Sequence, residues 1–127
     1  MRIRVALVSL FIVLVGFLQS SYSQEKDPYV PFAEEMPQPV GGISAIYKDI
    51  RYPQTARDAH LEGKVYLLAF INEKGHVDDV KVIKGIGLGC EQAAIEAIKH
   101  GKFNPAKNNG VPVKAKLTLA IDFKISG

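Results

Sequence analysis

Two apolar runs joined by a short polar loop constrain the fold of this chain most. They lie in KVYLLAFINEKGHVDDVKVIKG, where Asn72 to Gly75 separate them. Gly75 accepts the positive φ that a short hairpin loop needs, so we predict two antiparallel strands. The first strand is apolar on both faces, with Val65, Leu67, Ala69 and Ile71 on one and Tyr66, Leu68 and Phe70 on the other. Such a strand is expected to be central in its sheet.

The second strand contains a change of phase. Val80 and Val82 share one face, but Val77 does not share it. An extra residue in the strand would absorb this slip, so we predict a β-bulge near Asp78 and Asp79. These paired acids are expected to be solvated surface residues.

Three segments have the apolar spacing of helices. The first, ISAIYKDI, spaces its apolar residues as Ile43, Ile46, Tyr47 and Ile50. The second begins at Pro53 and ends just before Gly63, the usual placement of these two residues, and should turn Ala56 and Ala59 to the core. The third, GCEQAAIEAIKHGKF, carries a stripe of Cys90, Ala94, Ala97 and Ile98.

The last part of the chain alternates between apolar and other residues. After a turn at Asn108-Asn109-Gly110, every second residue from Val111 to Ile125 is apolar, which predicts one long strand with a packed face and a solvated face. The order is therefore helix, helix, strand, strand, helix, strand. We expect an α+β fold, a three-stranded antiparallel sheet with helices packed on one face.

The N-terminus has the layout of an export signal. Arg2 and Arg4 precede an apolar run from Val5 to Leu18, and Ser21 and Ser23 supply the small residues of a cleavage site. As a helix the run rises only ~21 Å, short of the ~30 Å hydrocarbon core. We expect residues 1–23 to be a cleaved signal peptide; the alternative is a retained membrane anchor over residues 5–18.

The rest of the sequence divides into a linker and one domain. Residues 24–42 contain four prolines and scattered acids, which resist helix and offer little to bury, so we expect a proline-rich linker. Residues 43–127 are expected to form the domain, since about 100 residues remain after cleavage. Cleavage also lowers the net charge from +3 to about +1, which leaves no basic face for nucleic acid.

Few residues are suited to chemistry. His60, His76 and His100 lack neighbours at metal-ligand spacing, and GIGLG lacks the lysine of a phosphate loop, so we predict no metal and no cofactor. Cys90, the only cysteine, lies at a predicted helix N-terminus, where a lowered pKa would make it a nucleophile. Its place in the apolar stripe favours packing instead. We expect no enzymatic activity.

Taken in order, these features resemble the C-terminal domain of the TonB family. The resemblance runs from about Met36 to Ile125, and no single piece of it is specific, whereas the ordered set is. Its pieces are Tyr52-Pro53 followed by Ala56, Gly63-Lys64-Val65, Gly75-x-Val77, Val80-x-Val82, Ala93-Ala94 with Ala97, Phe103-x-Pro105, Gly110-x-Pro112-Val113 and Phe123.

The resemblance implies a periplasmic, non-enzymatic domain that binds a segment of an outer-membrane transporter in energy-coupled uptake. In that family the segment adds as a strand beside the last strand of the domain. Carried over, the partner-binding residues are Val113, Lys114, Ala115, Lys116, Leu117, Thr118, Leu119, Ala120, Ile121, Asp122 and Phe123, flanked by Asp49, Ile50 and Arg51. An unpaired strand edge offers free N–H and C=O groups to another chain, so strand physics favours the same surface.

Other functions stay open at this point. The family's long spacer is replaced by residues 24–42, and the N-terminus favours cleavage. A soluble periplasmic adaptor, or a structural envelope protein without energy transduction, is therefore an alternative, and its partner would be another periplasmic protein. An open strand edge also permits a homodimer by strand pairing. A thiol-dependent enzyme that uses Cys90 is the most distant alternative, and membrane contact follows only if residues 5–18 are retained.

Overall fold

The computed structural model describes residues 27–125, so the predicted signal peptide lies outside the described residues. The elements in chain order are β1 (Gln38–Pro39), α1 (Ile43–Asp49), α2 (Gln54–Asp58), β2 (Gly63–Ile71), β3 (Val77–Lys84), α3 (Cys90–His100), β4 (Phe103–Asn104), β5 (Ala106–Asn108), β6 (Val111–Val113) and β7 (Ala115–Phe123). The predicted fold class is confirmed: an antiparallel sheet has the order β3-β2-β7, with β2 in the centre.

The β2–β3 hairpin forms where its sequence predicts. Gly75 has a φ of 82°, and the Asn72 side-chain oxygen accepts hydrogen bonds from the N–H of Lys74 at 2.9 Å and of His76 at 3.1 Å. These bonds satisfy the turn's backbone donors, as asparagine commonly does in loops. The turn therefore sets the register of the two strands.

The predicted β-bulge is confirmed at Asp78. Phe70 pairs with Asp79, while the next residue, Ile71, pairs with Val77. Asp78 is thus the extra residue on β3, outside the ladder. A bulge re-aims the side chain of its extra residue, and the Asp78 carboxylate accepts hydrogen bonds from the Asn72 side-chain N–H at 2.9 Å and from the Tyr29 hydroxyl.

The core lies between the inner face of the sheet and α3. The inner face of β2 is closed to solvent, since each of its four apolar side chains is at most 1% exposed. Opposite it, the predicted stripe of α3 is buried at all four positions, Cys90, Ala94, Ala97 and Ile98. Burying one such aliphatic side chain stabilises a fold by about 1.5–3 kcal/mol. This layer is therefore the main source of stability among the described residues.

Cys90 takes the packing role. Its side chain is fully buried, and burial raises the pKa of the thiol, with a smaller contribution from Glu91. The helix N-terminus therefore does not produce a thiolate here, because the cost of desolvating the charged form outweighs the dipole. A raised pKa and a closed environment both oppose the thiol-enzyme alternative.

The second helix is shorter than predicted. α2 ends at Asp58, Ala59 is exposed, and Gly63 opens β2 rather than ending the helix. His60 has a φ of 57°, and the N–H groups of His60 and Leu61 bond to the carbonyls of Arg57 and Ala56 at 3.0 and 2.9 Å. This is a Schellman motif with histidine in the position that glycine usually takes. The prediction of Ala59 as a core residue was therefore wrong.

The last strand is also shorter than predicted. Val111–Val113 forms β6 and pairs with β5 around a tight turn in which Asn109 and Gly110 have φ values of 52° and 75°. β7 starts only at Ala115, after Lys114. Apolar alternation continues across the break, because a hairpin strand and the strand after it can have the same period. The pattern therefore could not show where the pairing partner changes.

Residues 27–42 run along the domain before α1 begins. Val30 bridges Ala115, Glu35 bridges Lys107, and β1 pairs with β4. The proline-rich composition limits this segment to short contacts, because proline offers no N–H for a continuous ladder. The three contacts nevertheless place it against β7, β5 and β4 in turn.

Candidate functional site

The candidate site is the edge of β7 that faces away from β2. Lys116 donates its N–H to the Val30 carbonyl at 2.9 Å, and Asp122 donates its N–H to Tyr47 Oη at 2.9 Å. The backbone N–H groups of both residues therefore point away from β2. Since N–H and C=O groups alternate in direction along a strand, those of Thr118 and Ala120 point the same way. Within residues 27–125, no hydrogen bond reaches either of them on this side.

This free stretch is long enough to pair with another chain. It offers the carbonyl of Lys116, both backbone groups of Thr118 and Ala120, and the carbonyl of Asp122. An extended segment of about five residues would match them at the spacing of a β-ladder. The edge thus meets the geometric requirement for strand addition, in which main-chain hydrogen bonds supply the affinity.

Helix α1 flanks the C-terminal end of this edge through Tyr47. Helical spacing groups Ile43 and Tyr47 with the buried Ile46, but in the structure they are 42% and 37% exposed. Tyr47 and Ile43 are one helical turn apart and lie on the same side of α1. Sequence reasoning missed this role of Tyr47, and its only available signal was an aromatic residue with a hydroxyl on a very short helix.

The predicted flanking residues occupy the helical layer. Asp49 and Arg51 line a cleft of about 430 Å³ together with Glu96 and His100 of α3. Ile50 packs against the core. Of the residues at the end of α1, the one with a hydrogen bond to the β7 edge is therefore Tyr47, just ahead of the predicted flank.

The N-terminal end of the edge is occupied by Asp27–Pro31, here called the strap. Val30 donates its N–H to the Lys114 carbonyl at 2.9 Å and accepts the N–H of Lys116 at 2.9 Å, which makes a parallel bridge to β7. The pairing does not continue, because the chain bends at Pro31 and Phe32 is 83% exposed. The strap therefore covers one position of the edge and leaves Thr118 and Ala120 free.

Tyr29 anchors the strap on the outer face of the sheet. Its hydroxyl donates to the carboxylate of Asp78 at 2.5 Å, and its ring meets Phe70 edge to face with centroids 5.1 Å apart. Lys114 Nζ lies 5.5 Å from the ring centroid. The Asp78 hydrogen bond, followed by desolvation, raises the pKa of Tyr29 to about 12. The bulge thus supplies the acceptor that holds the strap.

Asp27 fastens the start of the strap. Its carboxylate forms an ion pair with the ammonium of Lys116 and accepts the N–H of Tyr29 at 3.0 Å. Lys116 and then the Tyr29 N–H keep the pKa of the Asp27 carboxyl below its ordinary value. Because Asp27 is exposed and Lys116 is partly exposed, this ion pair adds little stability, and the aromatic contact is the firmer one.

We expect the ionisation of Tyr29 to release the strap. Its folded pKa of about 12 is above the ordinary value of about 10, so its stabilising contribution is complete below about pH 10 and is lost as the pH rises through about 12. NMR of the tyrosine ring carbons against pH would follow this titration, and Tyr29→Phe would assign the signal. The Asp78→Asn variant should lower the midpoint towards 10; an unchanged midpoint would contradict the assigned hydrogen bond.

The histidines do not come together. His60 follows α2, His76 lies in the hairpin turn, and His100 ends α3, where its Nδ1–H donates to the Glu96 carbonyl at 2.7 Å. Across the described part of the chain, no three His, Cys, Asp or Glu side chains are grouped as metal ligands.

Residues 48–125 match the family model described as the Gram-negative bacterial TonB protein C-terminal. The chain belongs to this TonB C-terminal family. It is 35% identical over 78 residues to Protein TonB of Vibrio cholerae serotype O1, a match that covers 61% of this chain and 32% of that protein. The matched region thus spans about a third of that relative's length.

Solved structures of the family share the fold. One is the solution structure of the Helicobacter pylori TonB C-terminal domain, residues 194–285, with 32% identity, a TM-score of 0.50, and coverage of 64% of this chain and 86% of that one. Another is the Pseudomonas aeruginosa TonB C-terminal domain, with 27% identity, a TM-score of 0.50, and coverage of 61% and 79%.

No helix within residues 27–125 has the length and apolar character needed to cross a membrane.

Proposed function

We propose that this chain is a periplasmic, non-enzymatic binding module that engages a segment of an outer-membrane transporter in energy-coupled uptake. The segment adds to β7 as an extra strand. The observation that carries this proposal is the edge at Thr118 and Ala120, which has no partner within residues 27–125, in a domain of the TonB C-terminal family.

The chemistry of the edge supports binding rather than catalysis. Backbone groups without partners form a template for another strand, and no side chain at Thr118 or Ala120 is a nucleophile poised beside a base. Each new hydrogen bond contributes about 0.5–1.5 kcal/mol net, and association and ordering offset much of the sum. We therefore expect affinity of about micromolar strength.

The test is a crosslink from the edge itself. A photoreactive amino acid at Ala120, which is exposed beside the free backbone groups, should crosslink to an outer-membrane transporter in cell envelopes. The matched control places the same group at Lys99, exposed on α3. Mass spectrometry of the products would identify the partner. A crosslink of equal yield from Lys99, or products from Ala120 that contain no transporter, would reject the proposal.

A further inference from the structure

We propose that the strap is an intramolecular competitor for the edge of β7, so that a partner strand must displace Asp27–Pro31 to pair along the whole edge. This inference rests on the proposed function, because it concerns access to the same edge. An extended segment of another chain would fit the surface under the strap in the same way. Such a segment would carry an acid, a tyrosine two residues later and an apolar residue directly after the tyrosine.

The competition is for the same atoms. The Lys116 N–H points away from β2, on the same edge as the backbone groups of Thr118 and Ala120, and it already donates to the Val30 carbonyl. A backbone N–H has one hydrogen to donate, so a partner carbonyl can bond to Lys116 only after Val30 leaves. The Lys114 carbonyl is likewise occupied by the Val30 N–H.

The sequence of the strap limits how far it pairs. Pro28 and Pro31 enclose Tyr29 and Val30, and Val30 is the one strap residue that forms a bridge to β7. A longer pairing would bring Phe32 opposite the next outward groups, but Pro31 turns the chain away and Phe32 remains 83% exposed. A partner strand can therefore start at Thr118 and Ala120 and extend towards Lys116 as the strap leaves.

The strap can leave without unfolding the domain. Tyr29 and Val30 are only partly buried, Asp27 is exposed, and none of them belongs to the buried core cluster. The contacts are two backbone hydrogen bonds, the Tyr29 bond to Asp78, one aromatic pair, one cation–π contact from Lys114 and one surface ion pair. Segments held by few buried contacts open locally far more often than a core strand does.

The first measurement concerns the strap alone. In the purified protein we expect the Lys116 amide to be protected from hydrogen exchange, and Tyr29→Ala to raise its exchange rate by about tenfold or more, since the variant loses both a hydrogen bond and an aromatic contact. Amides of β2 should keep their protection. The matched control is Phe32→Ala, which removes an exposed aromatic residue just after the strap. Unchanged exchange at Lys116 in Tyr29→Ala would overturn the inference.

The second measurement supplies the strap sequence as a separate peptide. The probe is a synthetic peptide with the sequence of residues 27–34, DPYVPFAE, titrated into the labelled Tyr29→Ala protein. We expect NMR shifts at Phe70, Asp78 and Lys116, and none when the peptide carries alanine in place of tyrosine. Shifts that do not depend on this tyrosine, or that fall at other residues, would show that the surface under the strap is not a binding site.

The third measurement separates this inference from the function on which it rests. Crosslinking from Ala120 should increase about threefold to tenfold in Tyr29→Ala and stay unchanged in Phe32→Ala, because release of the strap removes the competitor. Equal yield in Tyr29→Ala and the parent protein would overturn the competition and leave the proposed function intact. A transporter crosslink that is missing from every protein would reject the proposed function instead.

Discussion

Replacing Thr118 with proline should weaken partner binding strongly while the domain stays folded. The Thr118 N–H points away from β2, so proline removes no bond of the β2–β7 ladder, and edge strands accept proline when the missing N–H faces outward. The variant loses a donor to the partner, leaves a partner carbonyl without its bond and puts a ring where that carbonyl must lie. Together these losses should weaken binding by at least about tenfold.

Two variants serve as controls for this experiment. Thr118→Val keeps the N–H and the branched shape but removes the hydroxyl, so it should bind as the parent does. Leu119→Pro places the same ring at a buried residue whose backbone N–H points towards Leu67 of β2. This variant loses a bond of the β2–β7 ladder and should unfold the domain. Crosslink yield from Ala120 and thermal unfolding would be measured for each. A folded Thr118→Pro protein with parental crosslinking would exclude strand addition at this edge.

The parts of the fold that the sequence predicted are those that local periodicity determines. The β2–β3 hairpin, the bulge at Asp78 and the four buried positions of α3 each follow from a pattern within one segment. The period of the side chains is set by the geometry of the strand or helix, so burial follows once the element is known. The central position of β2 follows in the same way, since both of its faces are apolar.

The errors occur where a contact joins distant residues or a rule has an uncommon exception. α2 ends at Asp58, two residues before His60, since this histidine adopts the left-handed conformation for which glycine is the usual signal. β6 separates from β7 because its partner is β5, and an alternating pattern does not identify a partner. Neither error alters the sheet order, so the candidate edge remains the last strand of the chain.

The strap was beyond the reach of sequence reasoning for a physical reason. Its composition, with Pro28 and Pro31, is typical of a linker, and its anchor depends on a hydrogen bond between Tyr29 and Asp78, 49 positions apart in the chain. The bulge places Asp78 outside the register of the ladder and so re-aims its side chain. Asp78 is exposed, as the sequence predicts for a solvated acid. It also holds in place a segment whose composition predicts no regular structure.

Replacing Gly75 with alanine is expected to be among the most destabilising single changes in the described domain. An added Cβ would lie 1.8 Å from the Phe103 carbonyl oxygen and 2.9 Å from its carbon. Neither side can retreat easily, since Phe103 donates its N–H to the Gly75 carbonyl at 3.0 Å and its ring is 3% exposed in the core. We expect a loss of at least about 3 kcal/mol, a large share of the 5–15 kcal/mol typical of a domain.

Gly110→Ala separates the clash from the backbone cost. Gly110 has a φ of 75°, close to the 82° of Gly75, but an added Cβ there would meet nothing within 4 Å. Both variants therefore share the left-handed penalty of about 1–2 kcal/mol, and only Gly75→Ala adds the collision. Chemical denaturation of both would give the difference directly. Equal losses would mean that the hairpin turn and the start of β4 can move apart freely, whereas a larger loss for Gly75→Ala would show that their packing fixes the register of the sheet that presents the β7 edge.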